Sequence, residues 1–363
     1  MAGMAVVYSS DCPASLERVS ADNAYVWQCD GTGDEVQINA AINAVQATGQ
    51  TSSQAPTGGG GSVLLAGNNF NIANPIQLQS WVDLGGAFGR AGTHINASSG
   101  FTGSHMIQDA QTYTEITALH DLYLDGQNNG TALAGVYRSS QTAQTPFTYS
   151  DPKHIMRDLW IINMTGAGIA FGTSVRSTLL RDCHIGLCDG WGIDGSGLID
   201  STCSGIELEG NGTAGTSGGI QATGGSTNYS NCRVYNSHGY GISGGAARIS
   251  FDNVVAIDSS YHNWYITAGK IAMSGCHSDS AGYGSANGTY HGFYISSALT
   301  DIQAYGCTSY DRNGSPHQGY GVYINGTAPT YSRLYVQTYG NYTGSFGGTT
   351  SPGSNSTYDI YGT

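Results

Sequence analysis

From about residue 155 onward, apolar and polar positions alternate in short bursts, and the bursts recur as one repeated phrase. Its clearest copy runs from Asp301-Ile302-Gln303-Ala304-Tyr305-Gly306-Cys307 through Tyr310 to Gly321-Val322-Tyr323-Ile324. Another runs from Ile271 through Gly275-Cys276-His277 to Gly292-Phe293-Tyr294-Ile295, and earlier ones lead to Gly241-Ile242-Ser243, Gly219-Ile220-Gln221 and Gly192-Ile193-Asp194. The cysteines at 183, 203, 232, 276 and 307 mark the repeat, with separations of 20, 29, 44 (two coils) and 31 residues. A period of roughly 20 to 30 residues filled with short alternating strands predicts a solenoid. Up to three bursts per copy, separated by Gly, Asn, Asp or Ser, predict three strands and three turns per coil. The expected fold is all-β, a single-stranded right-handed parallel β-helix.

In such a fold equivalent residues of successive coils stack about 4.8 Å apart, so the interior is built of ladders. The five cysteines read as one of them, a reduced stack of small apolar groups. Occasional disulfide pairing along the stack, or a metal site, is the rival reading. Cys188 falls off the ladder, and a disulfide between Cys12 and Cys29 is left open.

The 3.6-residue period of a helix is found once, after Asp30-Gly31-Thr32-Gly33-Asp34-Glu35. There Val36, Ile38, Ala41, Ile42 and Val45 predict an apolar helical face, preceded by acids suited to a helix N-terminus. An open solenoid end exposes strand edges, so this helix is expected as its cap. Gly58 to Ser62 reads as a flexible loop. The chain then divides into an N-terminal segment with the capping helix, 1–60, and a parallel β-helix, 61–363.

Composition narrows the partners. Of 363 residues 10% are charged, against roughly 25% in an average globular protein, while Gly reaches 55 and Tyr 24. The net charge of −13, with two lysines and ten arginines, leaves no basic stripe for a phosphate backbone, so nucleic acid is an unsuitable partner. A neutral polymer fits better than a strongly anionic one, unless a divalent metal bridges the charges. No apolar run reaches the roughly 18 to 20 residues of a membrane span, and the first residues lack the basic region of a signal peptide. Ten Asn-X-Ser/Thr sequons occur, half of them Asn-Gly-Thr or Asn-Gly-Ser, which read as turns.

The Gly-Ile-X-Ile strand turns each Ile inward and each X outward. Stacked coils then align Tyr137, Ala170, Asp194, Gln221, Ser243, Tyr265, Tyr294 and Tyr323 in one outward column. A second column, at the turn into the strand, holds Trp191, Tyr240, His291 and Tyr320, with His262 close by. Such a face suits stacking on sugar rings, although Tyr is also a common residue of exposed sheet. Glycoside hydrolysis needs two carboxyl groups. Asp189, Asp194, Glu207 and Glu209 form the best acid/base group, with Glu209 expected one strand spacing from Asp189 and His238 in the following coil near the same column. The bland reading is that acids at turns only cap backbone, the role expected for Asn236, Asp258, Asp279 and Asp311.

The run Asp-Gly-Thr-Gly-Asp, a short amphipathic helix, a Gly-rich loop, Val63-Leu64-Leu65-Ala66-Gly67 and Ile76-Gln77-Leu78 resembles the opening of the pectate-lyase-like (pectin lyase-like) β-helix superfamily, which includes the tailspike depolymerases of bacterial viruses. The resemblance implies a virion or extracellular polysaccharide depolymerase, often a homotrimer. His238-Gly239 is similar to the motif order of polygalacturonases, but that family's Asn-Thr-Asp, paired aspartates and Arg-Ile-Lys are missing. There is no Asp-Pro-His of the alginate epimerases; Asp151-Pro152-Lys153-His154 only echoes it. The resulting expectation is a hydrolase of a cell-surface glycan that needs no cofactor. The alternatives are a non-catalytic receptor-binding module, and a lyase or epimerase, which would bring a divalent cation such as calcium.

Overall fold

The computed structural model describes residues 3–12, 25–47, 60–110, 117–130, 132–139, 154–213, 217–245, 248–312 and 317–362. Gly58, Gly59 and Asp151 to Lys153 lie outside these. The chain forms two compact units, Met1–Ile185 and Gly186–Thr363, each built from stacked parallel coils. The fold is the expected right-handed parallel β-helix with three strands per coil.

One coil of the second unit shows the rule. Strands Ile249–Asp252, Val255–Ile257 and Trp264–Ile266 lie parallel to, and in register with, Ile271–Ser274, His277–Asp279 and Phe293–Ile295 of the next coil. We call these the first, second and third strands. Parallel strands need a crossover connection, and in this fold the rest of the coil supplies it.

Two corners carry the sequence signature. Between first and second strands one residue takes a left-handed backbone: Asp158 and Asp182 in the first unit; Gly205, Asn231, Asn253, Gly275 and Gly306 in the second. After the second strand the same is true of Leu187, Gly210, Asn236, Asp258 and Ser280. Gly pays no Cβ penalty there, and Asn and Asp tolerate the region best among the others.

The inward residue following the first corner is the true marker of the repeat. It is Leu159 and Cys183 in the first unit, then Ile206, Cys232, Val254, Cys276 and Cys307, all at most 2% exposed. Cys203 does not belong to this ladder. It lies in the first strand Thr202–Ser204, opposite Tyr229, which is in turn opposite Phe251. Its spacing imitates the ladder because the intervening copy carries Ile206 at the ladder position. None of the eight cysteines is in a disulfide, so neither a disulfide stack nor a Cys12–Cys29 bridge forms. The Sγ atoms of Cys183, Cys232, Cys276 and Cys307 each donate to the carbonyl two residues earlier.

The helix Glu35–Ala47 buries Ile38, Ala41, Ile42 and Val45 completely. Val36 is 63% exposed, because it falls about 200° around the helix from Ile38. The acids before this helix bind elsewhere. The Asp34 carboxylate accepts from the backbone N–H of Gly31 and Asn71, and Glu35 accepts from the N–H of Ala73 and from Asn74 Nδ2, which ties helix to strand Asn69–Ile72 and its turn. Among the described residues no helix is long and apolar enough to cross a membrane.

Candidate functional site

The outward column of third strands forms as expected. Asp194 is opposite Gln221, Gln221 opposite Ser243, Ser243 opposite Tyr265, Tyr265 opposite Tyr294 and Tyr294 opposite Tyr323. In the first unit Tyr137 is opposite Ala170. The second column gains a member. The backbone N–H of Gly241 donates to the carbonyl of His262, and that of Gly292 to Tyr320, so His262 stands in the column itself beside Tyr240 and His291. Trp191 belongs to the same column but is separated from Tyr240 by Gly218, whose amide precedes the Gly219–Tyr240 bond. Tyr261 and Tyr290, one residue further upstream, stack on each other at 4.7 Å. The sequence signal for them was the repeated Tyr-His dipeptide. Nine rings over four coils thus make one wall.

How the rings are turned determines what they offer. Tyr240 and Tyr265 are 4.4 Å apart and 3° from parallel; His262 lies 4.4 Å from Tyr294, and His291 4.4 Å from Tyr323. Rings stacked along the coil axis cover one another's faces. What reaches solvent is the edges of the tyrosines, with phenol hydroxyls at roughly one-coil intervals, whereas His262 and His291 are buried between them. This changes the expected role of Tyr265 and Tyr294 from flat platforms to a comb of hydrogen-bonding tips.

The two histidines are fixed in one protonation state. The N–H of His291 donates to His262 Nδ1 at 2.9 Å, and that of Tyr320 to His291 Nδ1 at 3.2 Å. An accepting Nδ1 leaves the proton on Nε2. Burial moves His262 down to about 3, helped by His291, and His291 down to about 4. Burial also pushes the Tyr240 phenol up to about 12. His262, His291 and Tyr240 are therefore neutral over the physiological range.

The carboxylates are distributed differently from expectation. Leu187 N–H donates to the Glu209 carbonyl, as Gly210 N–H does to Tyr235, the partner of Glu209, so Glu209 is in register with Gly186, whereas Asp189 accepts at its carbonyl from Ser217. The residue expected beside Glu209 is therefore three positions further along, around the corner that Leu187 makes. Asp194 stays on the third strand and caps the N–H of Ser196. Glu207 and Glu209 occupy a second strand, opposite Arg233 and Tyr235. His238 is exposed in the turn before Tyr240, its N–H bonded to the Asn211 carbonyl.

The second strands carry a hollow of about 290 Å³ lined by Glu207, Arg233, Tyr235, Asn236, Ile257, Asp258 and Arg312. Arg312 reaches back across two coils, its Nε 3.1 Å from Asp279 and its Nη2 3.2 Å from Asp258. Arg233 and Glu207 are 3.9 Å apart and both exposed, a pair that contributes about 0 to 1 kcal/mol. Burial raises the Asp258 carboxyl above its ordinary range against the pull of Arg312, with Asp279 and Asp311 adding to the rise. Of the four residues read as turn caps, Asn236 and Asp258 hold the corner, and Asp311 accepts from the N–H of His317 and Gln318. Asp279 does not cap: it is buried at the end of its strand, bonded by Ser280 Oγ and facing Arg312. Among the described residues no group of three or more His, Cys, Asp or Glu is placed to hold a metal ion.

A scan of family models gives no match, and neither does a sequence comparison with curated proteins. Solved structures do match. A DFA-IIIase from Arthrobacter chlorophenolicus A6 superposes with a TM-score of 0.63 at 12% identity, covering 93% of this chain and 89% of that one. The A-module of a mannuronan C-5 epimerase from Azotobacter vinelandii gives 0.55 at 16%, covering 90% and 94%. The chain has the pectin lyase-like β-helix fold. The enzymatically active domain of tailspike protein 2 from bacteriophage CBA120 shares it, at a TM-score of 0.57 and 13% identity, over 90% of this chain and 49% of that one. At these identities the likeness concerns the fold, which hosts many activities, and function must be argued from the site.

Proposed function

We propose that this protein binds a neutral or weakly charged cell-surface polysaccharide along the aromatic wall and cleaves it as a glycoside hydrolase. The observation that carries the reading is the wall: nine rings whose phenol hydroxyls repeat at about the coil spacing, with buried, neutral His262 and His291 packed among them. Tyr240, His262, Tyr265, His291, Tyr294, Tyr320 and Tyr323 are its contacts, with Trp191 at its beginning. A sugar polymer offers hydroxyls at short regular intervals, and a comb of fixed donors and acceptors binds it without ordering cost on the protein side. A virion or extracellular location, and a homotrimeric assembly, go with this reading; its support is the tailspike among the proteins sharing the fold.

The test is binding and product analysis with a panel of bacterial surface polysaccharides. A Tyr265→Ala/Tyr294→Ala double variant should lose at least tenfold in affinity for the polysaccharide that the unmodified protein retains. Unchanged binding by that variant would remove the wall from the reading. A receptor-binding module without turnover is the second reading. One observation favours it: with Nδ1 of both histidines committed to backbone N–H groups, the wall itself offers no general base. Binding without release of oligosaccharides would decide for it. An unsaturated product absorbing in the ultraviolet would instead indicate a lyase, and would call for a cation such as calcium.

A further inference from the structure

We propose that the hollow on the second strands is the catalytic centre, with Asp258 as the acid that protonates the glycosidic oxygen and Glu207 as the base that activates water. This rests on the polysaccharide reading above and assigns its chemistry to a face other than the wall. The two carboxyls line one concavity whose volume, about 290 Å³, is near the lower end of the roughly 300 to 1,000 Å³ of small-molecule sites. They stand two coils apart along the stack, since Glu207 is opposite Arg233, and Arg233 opposite Val255, three residues before Asp258. Two strand spacings combined with three residues along the strand put their backbones about 14 Å apart, and side chains extended toward each other across the hollow close that gap toward the roughly 6.5 to 9.5 Å of an inverting pair. Tyr235 lies on the coil between them and Arg233 beside Glu207, groups suited to hold sugar hydroxyls.

The environments of the two carboxyls differ as the two roles require. Asp258 is half-buried, next to the carboxylates of Asp279 and Asp311, and its Oδ1 is shielded from solvent with no hydrogen-bond partner. Glu207 is half exposed at the mouth of the hollow. Burial raises the Asp258 carboxyl, with Asp279 and Asp311 adding to the rise, which is the direction an acid needs, while Glu207 stands open to water. In the reaction the Asp258 proton passes to the bridging oxygen as the bond from that oxygen to the anomeric carbon breaks. A water oxygen bonds to the same carbon from the opposite side while Glu207 takes its proton. Arg312, which donates to Asp258 at 3.2 Å throughout, stabilises the carboxylate left behind, and solvent returns Glu207 and Asp258 to their starting states.

The hollow and the wall flank the same turn. Asp258 ends the second-strand side, and Tyr261 and His262 begin the wall three and four positions later. A polymer held on the wall therefore has a route over that turn into the hollow.

The substitutions that test this are mild. Asn at position 258 keeps the corner, because the preceding coil already uses Asn236 there with a φ of 55° against 51° for Asp258. Asp258→Asn and Glu207→Gln should each lower the release of reducing ends from the cleaved polysaccharide about 100-fold or more, the scale of general acid–base catalysis. Affinity for that polysaccharide and thermal unfolding should stay as in the unmodified protein. The acid-to-alkaline falling limb of the pH–rate profile should disappear in Asp258→Asn. Release within threefold of the unmodified protein by either variant overturns the assignment while leaving the wall intact. Binding by the unmodified protein with no release from any polysaccharide overturns it too. Loss of binding by the wall variant with cleavage of soluble fragments retained separates the two surfaces as expected.

Discussion

Acidification between pH 6.5 and 5 acts on the wall through His262 and His291, which are 8% and 7% exposed. Both have folded values far below the ordinary histidine value, about 3 and about 4, with burial as the first cause. A depressed folded value means that the unfolded chain takes up a proton that the folded one refuses. The stability they contribute is therefore complete above about pH 6.5 and is lost as the pH falls toward the folded values. Each imidazole binding one proton only in the unfolded state costs about 1.6 kcal/mol over this window, so the pair costs about 3 kcal/mol. His120 has the opposite sign. Hydrogen bonds from Asp83 and then Asp121 raise it, so its contribution is fully present below about pH 6.5 and is lost on going alkaline; it does not slope in the window. The assay is urea unfolding at pH 6.5, 5.75 and 5, compared with a His262→Asn/His291→Asn variant whose Oδ1 atoms stand where Nδ1 accepts the backbone N–H groups. The unmodified protein should lose about 3 kcal/mol more than the variant. Equal slopes in the two proteins would refute the claim that these imidazoles are buried and neutral.

Three further outcomes follow from the packing. Arg138 is fully buried, with Nη2 2.9 Å from Asp109 and no partner for Nε or Nη1; Asp109→Ala should cost about 3 to 5 kcal/mol in urea unfolding, and an Asp109→Leu/Arg138→Met pair should recover most of it. Burial pushes the Cys183 and Cys232 thiols up to about 12 and about 11, so a thiol reagent at pH 8 should label Cys12 first in the native protein and all eight cysteines only after unfolding. Asn253→Ala, at a corner with a φ of 52°, should lower stability by about 1 kcal/mol, whereas Asn253→Gly should be close to neutral by the same measurement.

The repeat was legible because two physical rules repeat with it: strict alternation in the Ile-X-Ile strand, and a left-handed corner that admits few residue types. Together they gave the outward column from Asp194 to Tyr323 in its correct order. What alternation could not supply was phase at the corners. Cys203 imitated the ladder from the neighbouring strand, and Glu209 was matched to Asp189 although a left-handed Leu187 intervenes. The mutual stacking of the rings was also beyond reach, because it depends on side-chain torsions rather than on spacing. The second-strand hollow stayed hidden for a further reason. Arg312 meets Asp258 from 54 positions away, and only the length of the intervening coils decides which earlier carboxylate it reaches.

The first corner also explains how such a chain can diversify. Asn253 and Val254 alone join the first strand to the second, Asn253 with a left-handed backbone, and Gly275 and Cys276 do the same a coil later. The connection from second to third strand is unconstrained by comparison: Ile257 to Trp264 in one coil, Asp279 to Phe293 in the next. Tight hinges on one side set the pitch of the spiral, and free spans on the other let each turn carry its own insert. Foreign loops grafted between second and third strands of this unit should be tolerated where equal insertions at the first corner are not.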